Sequence, residues 1–146
     1  MDLPDVNILI YAYRAELAMH TLCREWMESQ INGTKPFAMS ELVMSAFLRL
    51  VTHRKIFKTP APLAEAIMFI QAIRQSECCV MVAPGVNHWM IFTELCQAIG
   101  AAGNDIPDAY FAALAIESHC TWVSADKGFS RFPNLQWRLI TNKPEP

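Results

Sequence analysis

The feature that most constrains this chain is an alternation. Short apolar runs at residues 2–5, 37–39, 79–83, 121–124 and 137–140 are separated by longer stretches of helical period. Parallel strands need a crossover between them, usually a helix, so this order argues for an α/β fold with a mostly parallel central sheet. The expected sequence of elements is β-α-α-β-α-α-β-α-α-β-β, folded as a three-layer sandwich. The run at 2–5 is the weakest strand, because Pro4 suits a sheet edge or a strand start better than a ladder centre.

Between the runs, residues 6–13 are apolar and lead into a helical turn, and 16–31 read as a helix with Leu22, Cys23, Trp26 and Met27 on one stripe. Asn32-Gly33 stops it. Ser40 is an expected N-cap for a helix over 41–53, whose buried side is expected to include Leu42, Ala46, Phe47, Leu50 and Val51. Residues 63–76 place Leu63, Ala66, Ile67, Ile70 and Ile73 at a helical period. A further helix over 87–100 ends at Gly100 or Gly103, and Pro107 is expected at the first position of a helix running from Asp108 to His119. Ala109, Ala112, Ala113 and Ala115 would let that helix approach a sheet closely.

The chain of 146 residues fits one domain, spanning 1–146, and 53% hydrophobic residues supply a substantial core. With 14 acids against 12 bases, it lacks the basic footprint of a passive nucleic-acid coat. A nuclease acting through bound cations tolerates such a balance. Five cysteines, without a C-x₂-C pair, suggest neither a disulfide framework nor a zinc site. No basic region precedes an apolar run at the start, and no stretch is long enough for a membrane span, so a cytoplasmic protein is expected.

Four acids stand out by position. Asp5, Glu41 and Asp126 each fall at or just past the end of an apolar run, and Asp108 lies in a helical first turn. Ligands of open α/β sheets bind outside the carboxyl ends of the strands, so these acids are placed to share one rim. Converging carboxylates raise one another's pKa unless a cation is present, and Mg²⁺ suits an all-oxygen donor set better than zinc does. Each acid also has an ordinary structural explanation: a turn residue, a helix-dipole partner or an Asx-turn. Asn7 and Ser40 are placed to hold acids or waters from behind, and Asp105 is a further acid at the helix entry. His20, His53, His88 and His119 are scattered and read as structural or surface groups. Arg49, Arg54, Lys127 and Arg131 are possible phosphate contacts, although solvated charge is the commoner outcome. Trp89, Trp122 and Trp137 could stack bases, but burial is the expectation.

These motifs in series resemble the PIN domains of VapC-type toxins. The segments are Asp5-Val6-Asn7-Ile8-Leu9-Ile10-Tyr11-Ala12; Ser40-Glu41 with Arg49; Gly103-Asn104-Asp105-Ile106-Pro107-Asp108-Ala109; and Ser124-Ala125-Asp126-Lys127-Gly128-Phe129 with Arg131-Phe132-Pro133. The resemblance implies a PIN-like α/β/α sandwich and Mg²⁺- or Mn²⁺-dependent endoribonuclease activity. It implies that Asp5, Glu41, Asp108 and Asp126 are the catalytic acids and that Asp5, Asp108 and Asp126 bind the metal. It also implies a small VapB-type antitoxin partner, a homodimer, and structured RNA such as tRNA or ribosomal RNA as substrate. One departure is Gly128, where many members carry a further acid. The departure weighs against a second metal ion more than against a first, with Asp105 as the compensating candidate. The competing readings are an RNA-processing PIN nuclease without an antitoxin and a non-catalytic PIN-like binding module. A phosphatase or receiver domain ranks low, because no Asp-x-Asp follows the first strand.

Overall fold

The computed structural model describes residues 1–141. In chain order the elements are β1 (Asp2–Pro4), α1 (Val6–Tyr13), α2 (His20–Ile31), β2 (Phe37–Met39), α3 (Glu41–Val51), α4 (Leu63–Arg74), β3 (Cys79–Met81), α5 (His88–Ile99), α6 (Asp105–Glu117), β4 (Thr121–Ser124) and β5 (Trp137–Leu139), with a 3₁₀ turn at Lys127–Arg131. The expected order of strands and helices is the observed one. Every paired strand is parallel: β1 with β4, β4 with β5, and β2 with β3. Helices flank the sheet.

Pro4 explains why the ladder falls into two pieces. The Asp5 N–H donates to Val123 O and the Thr121 N–H to Met1 O, so the odd residues of β1 face β4. The Pro4 nitrogen is therefore turned to the other side, where β2 lies against β1 without a ladder. A proline has no N–H to offer there. β1 is thus a strand that lies between two others but pairs on one side only.

The core gathers Leu3, Ile8 and Leu9 with Phe37, Phe47, Leu114 and Trp122, all without solvent exposure. α6 packs closely as expected, with Ala109, Ala112, Ala113 and Ala115 fully buried. Three details depart from the sequence expectations. First, α6 starts at Asp105 and ends at Glu117, so Pro107 is its third residue, not its first. Proline is tolerated there because the first turn's N–H groups have no helical acceptor. Second, α3 turns Val43 and Met44 into the core beside Phe47 and Val51, while Leu42, Ala46 and Leu50 are only half-buried. Third, Trp89 is exposed, not buried; with Val86 and Met90 it forms an apolar surface at the start of α5. On α4, Leu63, Ile67 and Met68 are likewise exposed, and only Ala66, Ile70 and Ile73 face inward. Among the described residues no helix is long and apolar enough to cross a membrane.

Candidate active site

The β1-to-α1 junction places Asp5 at a strand end and a helix N-cap together. It is 7% exposed. Its Oδ2 accepts a hydrogen bond of 2.6 Å from the Ser124 hydroxyl. Ser124, fully buried at the end of β4, also accepts from Asn7 Nδ2 at 3.2 Å and from the Asp126 N–H at 2.9 Å. One donor and two acceptors exhaust what a hydroxyl can do. Asn7 closes the arrangement by accepting from the Ala125 N–H at 3.3 Å. Two strand ends are thereby stapled together, which fixes the approach of Asp5 and Asp126. Ser124 entered the sequence reading only as the first residue of the fourth motif, with no role assigned; the available signal was a hydroxyl at the last position of an apolar strand.

Burial pushes the Asp5 carboxyl up to about 6, opposed by the Ser124 hydrogen bond and helped by the charges of Asp108 and Asp126. Asp108 is also raised, first by burial; Arg131 pulls it back, and Asp126 and Asp105 push it further up. Three of the four expected acids, Asp5, Asp108 and Asp126, therefore sense one another electrostatically. Asp126 caps the 3₁₀ turn by accepting from the Gly128 N–H at 2.8 Å. Asp105 and Asp108 stand three residues apart on the first turn of α6, hence on one face. Both accept from Arg131 Nη2, at 3.2 and 2.9 Å. Arg131 is accordingly half-buried, not a solvated charge, and its guanidinium lies 4.5 Å from the Phe132 ring centre.

Glu41 stands apart. It follows β2 at the start of α3, but its side chain is 76% exposed and ion-paired with Arg74 at 2.8 Å. No hydrogen bond or ion pair among the described residues joins it to the other three acids. Ser40 is the helix cap expected of it, accepting from the Leu42 N–H at 3.2 Å, and makes no contact with the acids among those bonds. His88 is buried and structural, bonded through Nε2 to Tyr110 O at 3.0 Å. Among the described residues no three acid, histidine or cysteine side chains are gathered closely enough to form a finished metal site. The donor set nonetheless fits a hard cation: carboxylate oxygens only, one of them buried and raised above its ordinary value, first by burial and then by the charges of Asp108 and Asp126.

The family model of the PIN domain matches residues 3–135. The chain belongs to the PIN-domain family. Among curated relatives, this PIN domain is 40% identical over 134 residues to ribonuclease VapC43 of Mycobacterium tuberculosis, covering 92% of this chain and 91% of that protein. It is 38% identical over 136 residues to ribonuclease VapC25 of the same organism, covering 93% and 96%. Its fold matches a chain in the crystal structure of VapBC2 from Rickettsia felis bound to promoter DNA, with a TM-score of 0.71, 17% identity, and 95% and 98% of the two chains covered. FitAcB from Neisseria gonorrhoeae gives a TM-score of 0.62 at 14% identity, with 94% and 96% covered.

Proposed function

We propose that this chain is the toxin of a VapBC-type toxin–antitoxin pair, an endoribonuclease that hydrolyses phosphodiester bonds of structured RNA, tRNA or ribosomal RNA, with Mg²⁺ or Mn²⁺. The observation that carries the reading is Asp5, a carboxyl buried to 7% exposure between strand ends and raised first by that burial and further by the charges of Asp108 and Asp126. A fold gains nothing in stability from such an arrangement. It is the arrangement expected where a cation is to be bound. Relatives named VapC ribonucleases, matched over nearly the whole chain, support the same conclusion.

In this reading Asp5, Asp108 and Asp126 hold the ion. Asn7 and Ser124 fix Asp5 and Asp126 from behind, and Asp105 shares Arg131 with Asp108. When bound, the ion supplies positive charge at the scissile phosphate and makes a water acidic enough to attack it. Glu41 swings from Arg74 to join the acids when RNA is present, and Ser40 keeps the α3 start fixed while it does so. The partners are a VapB-type antitoxin and a second copy of the chain; the exposed apolar side chains on α4 and α5 suit a chain that works within an assembly. The protein acts in the cytoplasm as one PIN domain.

The test is incubation of total cellular RNA with the purified, antitoxin-free protein, with Mn²⁺ or with EDTA, beside Asp5→Asn. Discrete fragments that need both the metal and Asp5 are expected. A folded, metal-loaded protein that leaves every RNA intact overturns the assignment.

A further inference from the structure

Between Glu41 and Glu65 the chain carries no acid, yet four of its 12 lysines and arginines, Arg49, Arg54, Lys55 and Lys58, fall there within residues 49–58. All four are exposed. Elsewhere Arg14, Arg24, Arg74, Arg131 and Arg138 each pair with a carboxylate. Among the described residues only Lys35, Lys127 and these four bases lack such a partner. The loop between α3 and α4 that bears Arg54, Lys55 and Lys58 is held in shape by its own bonds. The Ala61 N–H donates to Val51 O at 2.8 Å and closes its neck. His53 O accepts from the N–H groups of Ile56 and Phe57, both at 3.1 Å, and His53 Nδ1 accepts from the Lys55 N–H at 3.1 Å. Arg14, just past α1, braces the loop: its guanidinium carbon lies 4.3 Å from the Phe57 ring centre, and its Nη2 donates to Thr59 O at 2.8 Å. Arg14 Nε is taken by Glu16 at 2.6 Å, so the unopposed charge is that of the loop's own bases. A fixed backbone that gathers three like charges with no carboxylate beside them gains stability only from an anion brought to it.

We propose that the α3–α4 loop is a docking surface for the RNA backbone, with Arg54, Lys55 and Lys58 on phosphates. The proposal rests on the nuclease reading above and deepens it by placing part of the substrate. α3 has 11 residues and starts at Glu41, so the loop stands about 16 Å along the helix from that residue. A folded RNA cut at the rim spans such a distance. Contacts to phosphate set register and orientation and carry no sequence, so the loop governs how RNA is held and not which base is chosen. Arg49 lies in the last turn of α3, where the helix dipole already accounts for a base, and is left out of the set. A protein partner fits the loop less well: lysine is depleted at protein interfaces, and Ile56 is the one large apolar side chain the loop exposes.

Binding without cleavage tests this. Fluorescently labelled bulk tRNA is titrated with the full chain, without antitoxin, in EDTA and at several KCl concentrations, and anisotropy gives the affinity. Each lost phosphate contact lowers the slope of log affinity against log salt by about 0.7–0.9. The Arg54→Gln/Lys55→Gln/Lys58→Gln variant is therefore expected to lose about 2–3 in slope, and about a hundred-fold in affinity at 0.1 M KCl. Lys35→Gln, which removes an exposed and unpaired base outside the loop, is expected to keep the wild-type slope. Melting curves confirm that each variant folds; if the triple variant does not, Lys55→Gln carries the test with about one third of the change in slope. A wild type that binds tRNA, beside a folded triple variant of equal slope and affinity, overturns the proposal and leaves the nuclease reading standing. A duplex DNA of similar length that binds more tightly than tRNA, with the same loss in the triple variant, assigns the loop to DNA and likewise overturns it. A wild type with no affinity for tRNA at low salt overturns both.

Discussion

Asp5→Asn should make the metal-free protein more stable at neutral pH, and the gain should vanish in acid. The Asp5 carboxyl is raised from 3.8 to about 6, first by burial. The native state therefore binds this proton more tightly than the unfolded chain does. Stability from the neutral form is fully present below the unfolded value and is lost as pH rises through about 6. The difference of roughly two pKa units corresponds to about 3 kcal/mol at neutral pH. Asparagine is nearly isosteric, carries no charge, and keeps an oxygen for the Ser124 hydroxyl. A net gain of about 2 kcal/mol is expected at pH 7.5, or about 4–8 °C in melting temperature for a domain of this size. Denaturant unfolding of both proteins in EDTA, at pH 7.5 and at pH 4, reads this out. A variant less stable than wild type at pH 7.5, or one with the same advantage at both pH values, refutes the reasoning. The same substitution should abolish RNA cleavage, so stability and activity move in opposite directions.

Ser124→Ala removes the hydroxyl that serves Asp5, Asn7 and the Asp126 amide, and should cost about 1–3 kcal/mol by urea unfolding together with most of the cleavage activity. Glu41→Gln touches only an exposed ion pair, so the melting temperature should stay within about 2 °C, since such pairs contribute at most about 1 kcal/mol. Cleavage of RNA by Glu41→Gln should nevertheless fall by about ten-fold or more if the side chain joins the acids; an unchanged rate assigns it to the surface. His119, just past α6, sits at φ 54 in the left-handed region, so His119→Gly should stabilise by about 0.5–1 kcal/mol in thermal unfolding.

The sequence made the order of elements legible because apolar runs and helical periods are local signals. The three strand-end acids were legible for the same reason: a charged residue directly after an apolar run is visible without any tertiary knowledge. The ends of α6 were not. Its start carries Pro107 at the third position, while the usual rule places proline first. Its end is taken by His119 in a conformation that glycine normally announces. The inward face of α3 was misread, and on α4 long apolar side chains such as Leu63 and Ile67 remain on the surface, a choice set by neighbouring elements and not by period.

The relations within the site were the least legible part, because each spans the chain. Ser124 and Asp5 are 119 residues apart, and Arg131 reaches Asp105 across 26. Read singly, Asp105 is a helix-dipole residue, Gly128 a turn glycine and Arg131 a surface cation. Folded, the guanidinium lies against residue 128 and takes two α6 carboxylates, and among the described residues no lysine or arginine pairs with Asp5 or Asp126. That asymmetry gives the rim its chemical direction. On the α6 side Arg131 offsets part of the charge of Asp105 and Asp108, while on the strand-end side Asp5 is raised first by burial and then by its acid neighbours.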